Sequence, residues 1–164
     1  MGIELQELQE LTDREKILAF ENILASRPGS TVGDSLQCPL KHSFADGIYV
    51  REIFIPKGCM LTGKIHKHYH PNFLMKGKVQ VFTEHEGLQT LEAPLSMISK
   101  PGTKRIVYAI EDTVWITVHL NPENTYELER LEEYVIAKSF PEFEAFKKLQ
   151  ELTHAKGELC LKEN

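Results

Sequence analysis

Between residues 36 and 120 the chain repeats one pattern: short runs of β-branched and aromatic residues, each cut off by a turn signal. The runs are 48–55, 60–69, 73–83, 88–92, 96–99, 105–110 and 114–120. The breaks are Pro56-Lys57-Gly58, His70-Pro71-Asn72, Glu86-Gly87, Ala93-Pro94, Pro101-Gly102 and Glu111-Asp112. Parallel strands need long crossovers, usually helices, and no helical period lies between these runs. Seven short strands in this arrangement predict an antiparallel sandwich or barrel.

Helical period appears only on the flanks. Thr12-Asp13-Arg14-Glu15 has the form of a capping box, and Ile17, Phe20 and Leu24 fall on one face after it. Residues 27–35 are rich in breakers and read as a linker. Beyond residue 122, Asn124 or Thr125 is placed to cap a helix carrying Leu128, Leu131 and Val135 on one face. Pro141 suits the first turn of a second helix. The expected organisation is a helical arm and linker over 1–35, a β-barrel over 36–122 and a helical tail over 123–164. The tail carries 6 Lys/Arg against 10 Asp/Glu, most of the chain's net charge of -5.

That negative balance argues against nucleic acid as a partner, because phosphate affinity rests on clustered positive charge. No apolar run reaches the roughly 18 residues of a membrane helix, and the acidic, amphipathic start is unlike a secretory signal. Cys38, Cys59 and Cys160 are widely spaced and odd in number, which fits a reducing cytoplasm better than a disulfide framework. Open strand edges and helical flanks favour a homo-oligomer, a dimer or higher.

Chemistry concentrates in Gly63-Lys64-Ile65-His66-Lys67-His68-Tyr69-His70-Pro71-Asn72, where three of the seven histidines alternate. In a continuous strand His66, His68 and His70 share one face, about 7 Å apart at Cα, with Asn72 next in line. Imidazoles so placed can converge on a metal ion from a concave wall. The pattern also suits a metal-free polar pocket, or a solvated strand face. Three consecutive strand positions seldom all reach one ion. Two ligands are therefore expected from this run and at least one from elsewhere. In 114–120, Trp115, Thr117 and His119 share one face and Ile116 and Val118 the other; periodicity does not say which is buried. If the former face looks inward, His119 completes a site with His66 and His70, with His68 as a substitute or fourth ligand.

The order Ile55-Pro56-Lys57-Gly58, His66-x-His68, a hydrophobic strand and Gly77, then Pro94 and Pro101-Gly102, resembles the cupin superfamily (RmlC-like jelly-roll barrels). That resemblance implies a single antiparallel barrel whose interior holds a divalent transition metal such as Fe, Mn, Ni or Zn. The family's motif Glu has no counterpart: His70 stands near its place counted from Gly77, Asn72 counted from the first histidines. Where the second motif has His and Asn, this chain has Arg105 and Ala109. The segment 38–52, with Gly63-Lys64-Ile65-His66, Pro101-Gly102-Thr103-Lys104-Arg105 and Glu111-Asp112-Thr113-Val114-Trp115, is similar to small cupin-like proteins common in bacteriophage genomes. The similarity implies a host-cytoplasmic role and supplies no reaction.

An inward Arg105 brings fixed positive charge to such a site, and a guanidinium suits carboxylate or phosphate. With Arg51, Lys64, Asn72 and Tyr108 it forms a candidate set for a small anionic ligand. No nucleophile elbow, phosphate-cradling glycine loop or paired Cys-x-x-Cys is present. Three functions are compatible with these residues: a metal-dependent cupin acting on or binding a small anion, a non-catalytic sequestering protein, and an assembly protein that uses the barrel as scaffold.

Overall fold

A computed structural model describes residues 9–31 and 34–162, with side chains described to residue 155. Expectations that fall on residues 1–8, on Val32 and Gly33 and on the Cys160 thiol lie outside the described residues. Helix α1 spans Asp13–Ala25 and opens on the capping box, with the Thr12 side chain accepting from the Glu15 amide and Glu15 returning to Thr12. The strands are β1 (Leu40–Ala45), β2 (Ile48–Ile55), β3 (Met60–Thr62), β4 (Ile65–His66), β5 (His70–Lys76), β6 (Lys78–Thr83), β7 (Gly87–Glu92), β8 (Leu95–Ser99), β9 (Arg105–Ala109) and β10 (Thr113–Leu120). Helix α2 (Leu128–Val135), strand β11 (Ile136–Ala137) and helix α3 (Phe140–Lys162) follow.

The protein is mainly β, and every strand pairing is antiparallel. A five-stranded sheet has the order β1-β2-β10-β5-β8, a four-stranded sheet β3-β9-β6-β7, and β11 pairs with β4. Ile55, Leu74 and Trp115 from the first sheet and Val79, Val81, Val107 and Ala109 from the second form one core. The two sheets therefore face each other across a shared apolar layer.

Two of the sequence runs divide. The run 73–83 breaks at Gly77, whose φ is +90° and whose missing Cβ leaves room for the Asp112 carbonyl and Thr113 Oγ1. Only glycine fits there, and the chain crosses from one sheet to the other at that point. The run 60–69 breaks between β3 and β4 and again after His66. Strand β1 and the short β11 had no strand signal of their own.

The helices pack around the sheets. Arg14 of α1 sits 4.0 Å over the Phe140 ring and 2.9 Å from Glu84, while Ile17 is fully buried. Asn124 and Thr125 do not cap α2: its N-cap is Glu127 without a side-chain bond, and the buried Asn121 instead holds the Thr125 backbone. Beneath α3, Ile65, Ala137, Phe140 and Phe143 form a second cluster. Gly102 makes it possible, because a Cβ there would lie 2.5 Å from the Phe143 ring. No helix among the described residues is long and apolar enough to cross a membrane.

Candidate metal centre

The histidine run is not one continuous strand. Strand β4 ends at His66, the chain bends through Lys67-His68-Tyr69, and β5 resumes at His70. The bend is held from outside: the Lys67 amide donates to the Val135 carbonyl (2.8 Å) and the Gly102 amide to the His66 carbonyl (2.9 Å). This breaks the expected column of three. His66 and His70 turn inward with ring centroids 4.2 Å apart. His68 turns the other way, stacked on Tyr134 at 4.7 Å and edge-on to Phe146 at 5.4 Å. His68 is therefore not a member of the cluster, contrary to its expected role as a substitute ligand, because tertiary pairing with β11 overrides the strand period.

The third imidazole comes from β10. Its inner face is Thr113, Trp115, Thr117 and His119, and its aliphatic residues point outward. His119 lies 5.1 Å from His66 and 4.7 Å from His70, centroid to centroid. One ligating nitrogen from each of His66, His70 and His119 falls within 4.8 Å of the others.

A hydrogen bond fixes which nitrogen of His70 is free. His70 Nδ1 lies 3.2 Å from the His68 carbonyl, which can only accept, so Nδ1 carries the proton and the lone pair is on Nε2. That Nε2 is buried without a partner, as is His66 Nδ1. His119 Nε2 is 3.0 Å from Thr117 Oγ1. Buried polar atoms without partners are rare and costly. Here two of them converge.

Burial holds the cluster neutral. His70 is pushed down to about 4 by desolvation, against a hydrogen bond to His68 that raises it and with Arg105 lowering it further. Desolvation first, then His70 and Arg51, push His119 down to about 3. His66 is held well below the ordinary range by desolvation, its two neighbouring imidazoles and both Arg105 and Arg51. Neutral imidazoles with free lone pairs are the form that binds a metal. The donor set and the two orphaned nitrogens fit a divalent transition ion.

Two guanidiniums reach the same region from opposite sheets. Arg51 lies on the inner face of β2, opposite Thr117. Its neighbour Tyr49 stacks on His119 at 5.9 Å and receives or donates a 2.7 Å bond at His42 Nδ1. Arg105 projects from β9 and donates from Nη2 to Ser99 Oγ at 2.6 Å; Ser99 is the cross-strand partner of His70. Neither arginine has a carboxylate within ion-pair distance among the described residues.

Three other candidates are placed differently. Asn72 is buried and fully engaged: Nδ2 donates to Ser99 Oγ (2.5 Å) and the His70 carbonyl (3.2 Å), and Oδ1 accepts from Trp115 Nε1 (3.1 Å). It braces the wall and has no group left for a ligand. Lys64 is tied to Glu132 of α2. Tyr108 lies on the opposite face of β9 from Val107 and Ala109, in an apolar hollow with Phe20, Met60, Phe82, Leu88 and Ile106. It is outside the site because strand alternation puts Arg105 in and Tyr108 out. Sequence reasoning missed Ser99 and Thr117. Ser99 matters through its cross-strand partner His70, for which the sequence holds no local signal, whereas the i, i+2 spacing of Thr117 and His119 placed those two side by side without assigning Thr117 a role.

Two facing antiparallel sheets with a buried three-histidine cluster define the class of protein. No family model matches the chain, and no curated protein is similar to it in sequence. Solved structures similar in fold include ectoine synthase from P. lautus (11% identity, TM-score 0.47, covering 74% of this chain and 78% of that one). An RmlC-like cupin family protein with a double-stranded β-helix fold from Methanocaldococcus jannaschii is 12% identical, with a TM-score of 0.45 and coverage of 59% and 92%. KdgF from Halomonas sp. is 14% identical, with a TM-score of 0.44 and coverage of 57% and 87%.

Proposed function

We propose that this chain is a cupin-type barrel that holds one divalent transition metal (Fe, Mn, Ni or Zn) on His66, His70 and His119. A small anionic molecule binds beside the metal through Arg51 and Arg105. The observation that carries the reading is the convergence of three neutral imidazoles, two of whose free nitrogens are buried without a partner. A bound divalent ion supplies Lewis acidity, and lowers the pKa of a coordinated water.

The chain's own residues do the rest. Thr117 and the His68 carbonyl orient the His119 and His70 rings, the role that outer partners play at metal sites. Ser99 positions the Arg105 guanidinium, and Asn72 holds Ser99. Charge explains the anion. Neutral histidines contribute nothing against a +2 ion, and the two arginines raise the local charge further. An anion relieves that repulsion and gives both guanidiniums partners. The phage-type origin suggested by segment 38–52 belongs to the same proposal, with a small host metabolite as the ligand class.

The test is metal analysis of untagged protein after reconstitution with Zn²⁺, Mn²⁺, Fe²⁺ or Ni²⁺. One equivalent is expected in the wild type and in His68→Ala, and loss in His70→Ala and His119→Ala. No stoichiometric metal in the wild type, or full occupancy in His119→Ala, overturns the proposal. Thermal shifts with phosphate and short carboxylic acids then test the anion: stabilisation is expected in the wild type and not in Arg105→Gln.

A further inference from the structure

An antiparallel sheet with one covered face ordinarily turns polar residues to water on the other. The five-stranded sheet does not. Its inner face carries Arg51, His70, Asn72, Ser99, Thr117 and His119, much of the chain's buried polarity. Its outer face carries Phe73 and Met75 from β5, Ile98 from β8 and Ile116, Val118 and Leu120 from β10. On β2 that face adds Ile48, Val50 and Phe54. The inner face is apolar at one end, where Ile55, Leu74 and Trp115 join the core, and polar at the other, yet the central strands are apolar along the whole side that faces away from the core.

The extent of this surface decides what it is for. Phe73 is 36% exposed, Met75 56%, Ile98 63% and Leu120 59%. At roughly 200 Å² for a large side chain, these four alone leave roughly 400 Å² of apolar surface uncovered. The half-buried aliphatic residues between them bring the patch to on the order of 600 Å², at the top of what a monomer ordinarily exposes. A standard interface takes about 800 Å² from each partner, so the patch with a modest polar rim is the size of one half of a dimer contact.

We propose that the outer face of the five-stranded sheet is the interface between two copies of this chain, packed face to face about a two-fold axis. Sheets stack through flat apolar faces about 10 Å apart, and an identical face meets that need. The charges do not oppose it. Glu52, the one acidic residue on the outer face of β2, lies directly across from Lys41 on β1, so apposed copies bury no unmatched like charge there. A lipid surface is the poorer occupant, since the chain carries a net charge of -5 and anionic headgroups repel it. The contact has a consequence for the candidate metal centre, since Arg51, His70 and His119 lie on the reverse of the same strands. The partner would brace the sheet that positions them.

Sedimentation velocity of the metal-free full chain from 5 to 100 µM tests this. A mass of two chains of 18.8 kDa is expected for the wild type and for Leu88→Lys, which lies on the other sheet's exposed face. Ile98→Lys with Val118→Lys should give one chain's mass with the circular dichroism spectrum retained. A wild type that is monomeric at 100 µM, or a folded double variant that stays dimeric, overturns the proposal. Hydroxyl-radical footprinting of the wild type guards against a variant that fails to fold. In the 100 µM wild type Met75, 56% exposed in the single chain, should oxidise at least fivefold more slowly than Met60, 41% exposed on the other sheet, and comparable oxidation of the two refutes the interface.

Discussion

Acidifying the metal-free protein from pH 7.5 to pH 5 should remove about 4 kcal/mol of folding stability through His70 and His119. Both have folded values depressed from 6.5, to about 4 and about 3. A group so depressed contributes its full stability above the unfolded value, and that contribution drains away as pH falls from 6.5 toward the folded value. At pH 5 each unfolded imidazole is almost fully protonated, while its folded counterpart is still neutral. The difference is about 2 kcal/mol per residue. His66 is shifted in the same direction and adds to the loss. Carboxylates, titrating near 4, contribute little above pH 5. Four kcal/mol is a large share of the 5–15 kcal/mol that holds a typical domain together. Urea titrations in a chelating buffer at half-unit pH steps measure the slope directly. His70→Gln and His119→Gln should each reduce the pH dependence by about 2 kcal/mol, whatever their effect on absolute stability. Saturating Zn²⁺ should move the whole loss to lower pH, because protons must then displace the ion. A wild-type stability that stays flat between pH 7.5 and 5, or an unchanged slope when His70→Gln and His119→Gln are combined, refutes the account of a desolvated neutral cluster.

Two substitutions outside the cluster test its supports. Trp115→Phe removes the donor to Asn72 Oδ1 in a buried site and should cost about 1–3 kcal/mol by denaturant titration. A cost below about 0.5 kcal/mol would mean that the orphaned acceptor carries no penalty there. Gly102→Ala combines a φ of +80° with a Cβ against the Phe143 ring. It should lower the melting temperature by several degrees, since a residue forced into that backbone region costs about 1–3 kcal/mol. The loss should come with faster hydrogen exchange at the start of α3, and an unchanged exchange pattern would count against the packing described.

How much was legible follows from how local each signal is. The run 48–55 became β2 unchanged, because β-branched period and flanking turns act within a few residues. The capping box before α1 is equally local, two side chains satisfying two amides three residues apart. The short β11 has no pattern of its own and exists only because β4 lies beside it. His68 shows the opposite error: the alternation is real in the sequence, yet a hydrogen bond from the Lys67 amide to the carbonyl of Val135, 68 positions on, turns the ring away from its neighbours.

Residue identity and spacing thus set out what was available: antiparallel strands, imidazoles at alternate places, arginines where ligands were expected. Hydropathy could not say which face of β10 turns inward, and the usual preference would have buried Ile116 and Val118. Only the packed sheets decide that Thr117 and His119 take the inside, that Asn72 and Ser99 are spent on bracing, and that Tyr108 looks away. Strand alternation specifies two faces but not their sense. That sense is fixed by contacts between strands far apart in the chain, which act only once both sheets have closed on a common core.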